Sequence, residues 1–433
     1  MTTTDDSVAV TATGTHATRA VSTDRTTGIR DRFERAASRL DVDTGRLHRL
    51  LQPSAVYRET IWLSRDDGGT DELPAIRVQH DTRQGPCLGG LRYHPDASVT
   101  GCRRRAALAT WQHALFDLPF GGSMGAVAVD PANLSVSERE RLARRYAEAF
   151  QDVLGPHQDV VEPGAGTGPR DMGYLADARA RTAGEHPGSA VAGKPATLGG
   201  LEARPGAAGR SLAVLAREAC DRRQLPVTDA TVAVCGYGAV GATAARLLDR
   251  WGMDVVALGD SDGCLHDPDG VEPHAVPASH ETDGGVTAHD TDGGGSLDDP
   301  LSADVDLLVP ATPGGAISPA VASDLQASVV VEGATGPTTA GADAVLDQHD
   351  VTVVPDILAN AGGALVSAFE WRAGTDGDDW SPERVDNELS HRLLSAYRTV
   401  RERRLTDDLD WRAAAYAESL ARLRRDRRSR RRW

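Results

Sequence analysis

A chain of 433 residues exceeds what one hydrophobic core ordinarily serves, so two domains are expected, and a hydrophobic share of 40% is enough to fill them. A net charge of −16, from 63 acidic against 47 basic residues, argues against general affinity for nucleic acid and for a strongly hydrated surface. No apolar run approaches the roughly 18 residues that span a bilayer, and the N-terminus lacks an apolar signal core, so a soluble cytoplasmic protein is expected. The five cysteines, Cys87, Cys102, Cys220, Cys235 and Cys264, form no CxxC pair and no metal-ligand spacing. They read as small buried hydrophobes, with no metal and no disulfide.

Residues 1–28 are rich in Thr, Ala, Ser and Asp without apolar periodicity, the pattern of a disordered leader. A helical pattern from Ile29 to about Asp43 runs through Phe33, Ala36, Ala37 and Leu40. Ile61-Trp62-Leu63 and Ala75-Ile76-Arg77-Val78 then read as strands joined by the turn-rich stretch from Asp66 to Thr70.

The strongest single motif is Thr231-Val232-Ala233-Val234-Cys235, a β-rich run leading into Gly236-Tyr237-Gly238-Ala239-Val240-Gly241 and an Ala/Leu-rich helix through Leu247. Strand, GxGxxG turn and helix in that order let the backbone approach a pyrophosphate and aim a helix N-terminus at its charge. A second strand, Asp254 to Leu258, ends at Gly259-Asp260, about 20 residues past the last glycine, where an acid reads a ribose hydroxyl. Asp260 there favours NAD over NADP by repelling a 2′-phosphate. Residues 267–300, dominated by Asp, Gly, His and Thr, read as an acidic surface loop with at most a short strand or turn. Strands are expected again at 306–310, 328–332 and 351–355, giving a parallel, doubly wound sheet. After Leu423 an Arg-rich stretch reads as a solvated helix end or frayed tail.

Several phrases together resemble the glutamate (Glu/Leu/Phe/Val) dehydrogenase family. They are Gly85-Pro86-Cys87-Leu88-Gly89-Gly90-Leu91-Arg92, Leu118-Pro119-Phe120-Gly121-Gly122-Ser123-Met124-Gly125, Gly193-Lys194-Pro195, Glu332 to Thr339, and Pro355 to Gly363. The resemblance implies an α/β protein with a substrate and assembly domain at 29–195 and a Rossmann dinucleotide-binding domain at 196–360. It also implies a C-terminal helical segment at 361–420 that returns to the first domain, an Arg-rich tail at 421–433, and a homo-oligomer, usually a hexamer. Lysine occurs once, at Lys194, and this acidic, lysine-poor composition is similar to that of proteins from salt-loving archaea.

The family's reaction moves a hydride from an amino-acid Cα to nicotinamide, and water then hydrolyses the imine to a 2-oxo acid. Such a site must hold carboxylates on cations and move protons with a lysine and an aspartate tuned near the operating pH. Matched phrase by phrase, the two lysines that anchor substrate carboxylates fall on Leu88 and Gln112. The catalytic lysine falls on Met124 and the catalytic aspartate on Gly164, while the nearby asparagine is Gly166, with Thr167 kept. On the cofactor side Gly236, Gly238, Gly241, Asp260 and Asn360 match, but a threonine is replaced by Ala208 and an asparagine by Thr335. Ser367, matching the serine at the distal carboxylate, is kept, as are Arg92 and Lys194, the latter read as a structural contact. A genome that avoids lysine would substitute arginine; Leu, Gln and Met are a different kind of change.

The leading expectation is therefore an impaired paralogue that binds NAD and serves as a regulatory or structural subunit beside an active dehydrogenase paralogue. The alternatives are an oxidoreductase for a less charged substrate and a residual glutamate dehydrogenase. The less charged substrate would use a pocket of Leu88, Met124 and Ala126, with His94, His113 or Glu162 replacing the lost polar groups.

Overall fold

The computed structural model describes residues 32, 33, 36, 37, 50–183, 190–279, 285–288, 299–312 and 314–430, with side chains to 424. The leader at 1–28 lies outside the described residues. Of the helix expected at 29–43, residues 32, 33, 36 and 37 are described and are helical, with Phe33, Ala36 and Ala37 buried.

Two sheets organise the chain. The first contains β1 (Ala55–Ser64), β2 (Thr70–Gln79), β3 (Cys87–Tyr93), β4 (Gly121–Val127) and β5 (Asp159–Pro163), in the order β1-β2-β4-β3-β5. β1 and β2 form an antiparallel pair of ten residues each, longer than their apolar cores at 61–63 and 75–78. The excess is legible only as pairing, because Arg58, Glu59 and Thr60 of β1 and Thr70, Asp71 and Glu72 of β2 are exposed and polar. β4 runs antiparallel to β2, and β3 runs parallel to both β4 and β5. Helix α1 (Val99–Leu115), capped by the Ser98 hydroxyl, packs Cys102 and Ala106 on Val78, Met124 and Ala126, and Trp111 near Leu88 and Val160. On the opposite face α2 (Val136–Ala149) and α3 (Pro169–Ala183) bury Leu142, Tyr146 and Met172 against Leu91, Tyr93 and Val161. Across that face Arg77 reaches Asp159 with a 2.5 Å ion pair. Ser123 donates to the same carboxylate at 2.7 Å.

The second sheet has the order β11-β10-β9-β6-β7-β8, from β6 (Thr231–Cys235), β7 (Asp254–Gly259), β8 (Cys264–His266), β9 (Leu307–Pro310), β10 (Val329–Val331) and β11 (Thr352–Val354). It is parallel except at its edge strand β8. Its helices include α4 (Ala207–Arg222), α5 (Ala239–Arg250), α6 (Pro319–Asp324) and α7 (Ala340–Gln348). The sheet order reverses at β6, so the crevice between β6 and β9 is a topological switch point, where such folds take their ligands.

The stretch at 267–300 is not simply a surface loop. Val271, Val276, Ala278 and Val286 are buried in the main core, spaced too widely among Asp and Gly to show a period. After α8 (Asp356–Ala359), α9 (Gly362–Asp376), α10 (Pro382–Asp407) and α11 (Trp411–Arg430) turn back toward the first sheet. Trp371 donates to the Pro156 carbonyl at 2.8 Å, and Arg422 donates to the Leu115 carbonyl at 2.9 Å. A buried ion network locks this return: Arg412 reaches Glu332 at 2.5 Å, Asp343 at 3.0 Å and Asp356 at 3.1 Å. Burial alone would raise the Glu332 carboxyl, but the Arg412 charge overrides it and holds it below the usual range.

Candidate functional site

At the end of β6 three glycines do three different jobs. Gly236 adopts φ +106°, and a Cβ there would lie 2.7 Å from the Ala311 carbonyl carbon, so only glycine turns the chain here. Gly241 packs so closely on the strand that its Cβ would come within 2.1 Å of the Gly236 oxygen. Gly238, by contrast, has nothing within 4 Å of its Cβ position, and it heads α5 without a side-chain cap. The first-turn amides of a helix have no intrahelical acceptor, and the space beside Gly238 lets a pyrophosphate approach them.

Asp260 stands one residue past β7, as the spacing indicates. Its two oxygens accept from the Asp262 and Val286 amides, each at 2.9 Å. A carboxylate has about four acceptor positions, so room remains for a ribose hydroxyl. The Val286 contact was invisible in sequence, since it joins the acidic stretch to a strand end 26 residues away. Asn360 is half-buried at the end of α8, Ala208 is half-buried and Thr335 is exposed.

The amino-acid end is built on the α1 face of the first sheet. Val78 pairs with Met124 and Gly90 with Glu162, while the β3–β4 register sets Met124 beside Gly90. These four residues form one row across four strands. A Cβ on Gly90 would lie 3.7 Å from the Met124 sulfur and 3.5 Å from the Gly164 Cα, so the two positions matched to the acid/base pair do converge. Met124 is an apolar core residue, however, packed with Cys102 and Ala106. Leu88 is fully buried in the main core, and the Gln112 amide donates across to the Ile357 carbonyl at 3.2 Å.

The segment at 164–167 has closed onto β3. A Cβ on Gly164 would lie 2.7 Å from the Leu91 oxygen, and one on Gly166, at φ +80°, would lie 2.4 Å from the Tyr93 oxygen. Thr167 fastens the segment, its hydroxyl donating to the Leu91 carbonyl at 2.7 Å and accepting from the Gly164 amide at 2.9 Å. The backbone itself has no space for an acidic side chain at position 164.

One cation does lie in the cleft, and the sequence reading missed it. Arg204, in the turn before α4, donates from Nε to the buried Ser367 hydroxyl at 2.6 Å and from Nη2 to Glu162 at 3.0 Å. Its fixed fork fits between Gly363, whose Cβ would meet Nη2 at 3.2 Å, and the two acceptors. The signal for it was a lone arginine in a Gly/Pro-rich turn, which carries no pattern on its own. Of the three replacement groups, Glu162 alone is in the cleft. His94 sits at the surface, accepting from the Asp96 amide at 3.1 Å. His113 is fully buried against the Gly121 carbonyl, and burial pushes its pKa down to about 4. Arg92 contacts Asp96 at 3.5 Å. Lys194 is a structural contact, 2.5 Å from Glu370 and 2.9 Å from the Val191 carbonyl, in a fully buried pair. Among the described residues no cluster of three His, Cys, Asp or Glu could hold a metal, and no helix is long and apolar enough to cross a membrane.

A glycine turn at the switch point of a parallel sheet, in a chain with a second α/β sheet, defines a two-domain protein with a Rossmann-type domain. Family models match both parts: the Glu/Leu/Phe/Val dehydrogenase dimerisation domain over residues 53–181 and the Glutamate/Leucine/Phenylalanine/Valine dehydrogenase model over 199–431. The chain belongs to this family. It is 45% identical over 388 residues to NAD-specific glutamate dehydrogenase A of Halobacterium salinarum, covering 90% of this chain and 89% of that one. Glutamate dehydrogenase of Thermotoga maritima is 37% identical over 394 residues, covering 91% and 95%. Among solved structures, the hetero-hexameric glutamate dehydrogenase from Thermus thermophilus in its Leu-bound form superposes with a TM-score of 0.87 at 32% identity, covering 94% and 98%. Glutamate dehydrogenase from Peptoniphilus asaccharolyticus gives 0.79 at 27%, covering 93% and 98%.

Proposed function

We propose that this chain is a catalytically impaired member of its family that binds NAD and acts as a regulatory or structural subunit beside an active dehydrogenase paralogue. The observation that carries the reading is the closed segment at Gly164: the backbone leaves a Cβ only 2.7 Å from the Leu91 oxygen, and the neighbouring Met124 cannot move a proton. A positioned acid or base contributes about 10²–10⁴-fold, so losing two of them removes most of the chemistry.

At the other end, the open amides around Gly238 would hold the pyrophosphate, and Asp260 would hold the adenosine ribose and disfavour a 2′-phosphate. The bound nicotinamide would supply the hydride chemistry; here this chain's residues only seat the cofactor. Pairing with unlike subunits is supported by the Thermus relative, described as a hetero-hexamer. The acidic, lysine-poor surface and the Halobacterium relatives support work in concentrated salt, inside the cell. Domain limits of 29–195, 196–360 and 361–420 are proposed with this reading.

The test is co-expression with an active paralogue in high salt. Mixed oligomers whose glutamate kinetics differ from those of the active subunit alone support the reading. Separate homo-oligomers with unchanged kinetics overturn it.

A further inference from the structure

We propose that Glu162 is a built-in occupant of an anion seat in the cleft, so that its carboxylate holds the Arg204 guanidinium in place of a ligand's carboxylate. The inference rests on the reading that the lysine anchors are gone, and it adds what has taken over the cation that remains.

Arg204 reaches Glu162, the last residue of the row Val78–Met124–Gly90–Glu162, from the second domain and is fixed by the Ser367 hydroxyl of α9 at 2.6 Å. Among the described residues its one ion-pair partner is Glu162, at 3.0 Å, and the converse holds too. The two side chains are 13% and 14% exposed, so water screens them poorly and each needs the other. The other carboxylate nearby, Glu370, accepts from the Gly193 and Leu201 amides and is already paired with Lys194 at 2.5 Å, while Gly363 carries no side chain and Ser367 is neutral. His113, which feels the Glu162 charge, is buried and neutral around pH 7.

Glu162 sits on β5 of the first sheet, whereas Arg204 and Ser367 come from the part of the chain after residue 199. The pair therefore ties the two domains across the cleft as well as neutralising its cation. A planar guanidinium presents a fork that suits any carboxylate, and an external one must first displace Glu162. Removing Glu162 leaves a poorly hydrated, unpaired cation held in position by Ser367, which is the condition for binding a small carboxylate.

The experiment is calorimetric titration of 2-oxoglutarate into the native chain, Glu162→Gln, Glu162→Ala and the double variant Glu162→Ala/Arg204→Met. Nucleotide is left out, and the salt is the lowest at which the native melting temperature holds. The expected result is at least ~10-fold tighter binding in Glu162→Ala than in the native chain, an intermediate gain in the isosteric Glu162→Gln, and loss of the gain in the double variant. A folded Glu162→Gln and Glu162→Ala with no gain, or a gain that survives Arg204→Met, would overturn the proposal. Neither outcome touches NAD binding or turnover, so failure here leaves the impaired-subunit reading to its own test.

Discussion

The two ends of the cleft differ in which part of the chain does the work. At the proposed dinucleotide end the recognition elements would be mainly main-chain: a turn, a helix N-terminus and the space left by Gly238. At the amino-acid end they would have to be side chains, and there Leu88, Gln112, Met124 and Gly164 stand in the matched positions. Main-chain recognition is tied to the fold, since Gly236 and Gly241 are also needed to pack β6 on α5. Side-chain chemistry has no such protection and can be lost without loss of the core.

The sharpest way to break this contrast is to look for turnover. Glutamate oxidation should run at least about 10²–10⁴-fold below that of an intact relative, since groups that act as one unit do not add independently when lost. Met124→Lys alone should recover less than about tenfold in a coupled NADH absorbance assay, because Gly164 remains closed against Leu91. The next largest effect concerns how firmly the dinucleotide end is held. Arg412→Ala leaves Glu332 and Asp356 buried without their shared cation, Asp343 keeping Arg32 at 2.8 Å, and should cost about 3–5 kcal/mol in denaturant melts.

A smaller effect comes from the buried histidines. His80 and His113 are each pushed by burial from 6.5 to about 4, so between those values the unfolded chain binds more protons than the folded one. Their contribution to stability is complete above about pH 6.5 and is lost as pH falls toward 4. Melts of His113→Gln should therefore show a flatter acid limb than the native chain, by on the order of 2 kcal/mol. The smallest expected effect separates binding from folding. Gly238→Val points into open space, so the melting temperature should hold while NADH binds about tenfold more weakly or worse.

Much of the second sheet was legible because parallel strands are continuous apolar runs, and β6 falls on the residues expected of it. Met124 and Gly164 were singled out only by the family resemblance, and the structure brings both beside Gly90. What sequence could not show were contacts between distant residues with no local pattern. Arg204 meets Glu162 and Ser367 only after both sheets have formed. Val286 reaches Asp260 from a stretch whose composition reads as solvent-exposed. The closure of Gly164 onto β3 is a backbone fact, set by Thr167 and the positive φ of Gly166.

The most direct test of the split between the two ends is a calorimetric titration of NADH in concentrated salt, repeated with 2-oxoglutarate and ammonium present and with absorbance followed in the same cell. The account predicts one NADH bound per chain, an affinity that the second pair of ligands leaves unchanged, and no consumption of NADH. Oxidation of NADH on adding 2-oxoglutarate and ammonium would contradict it.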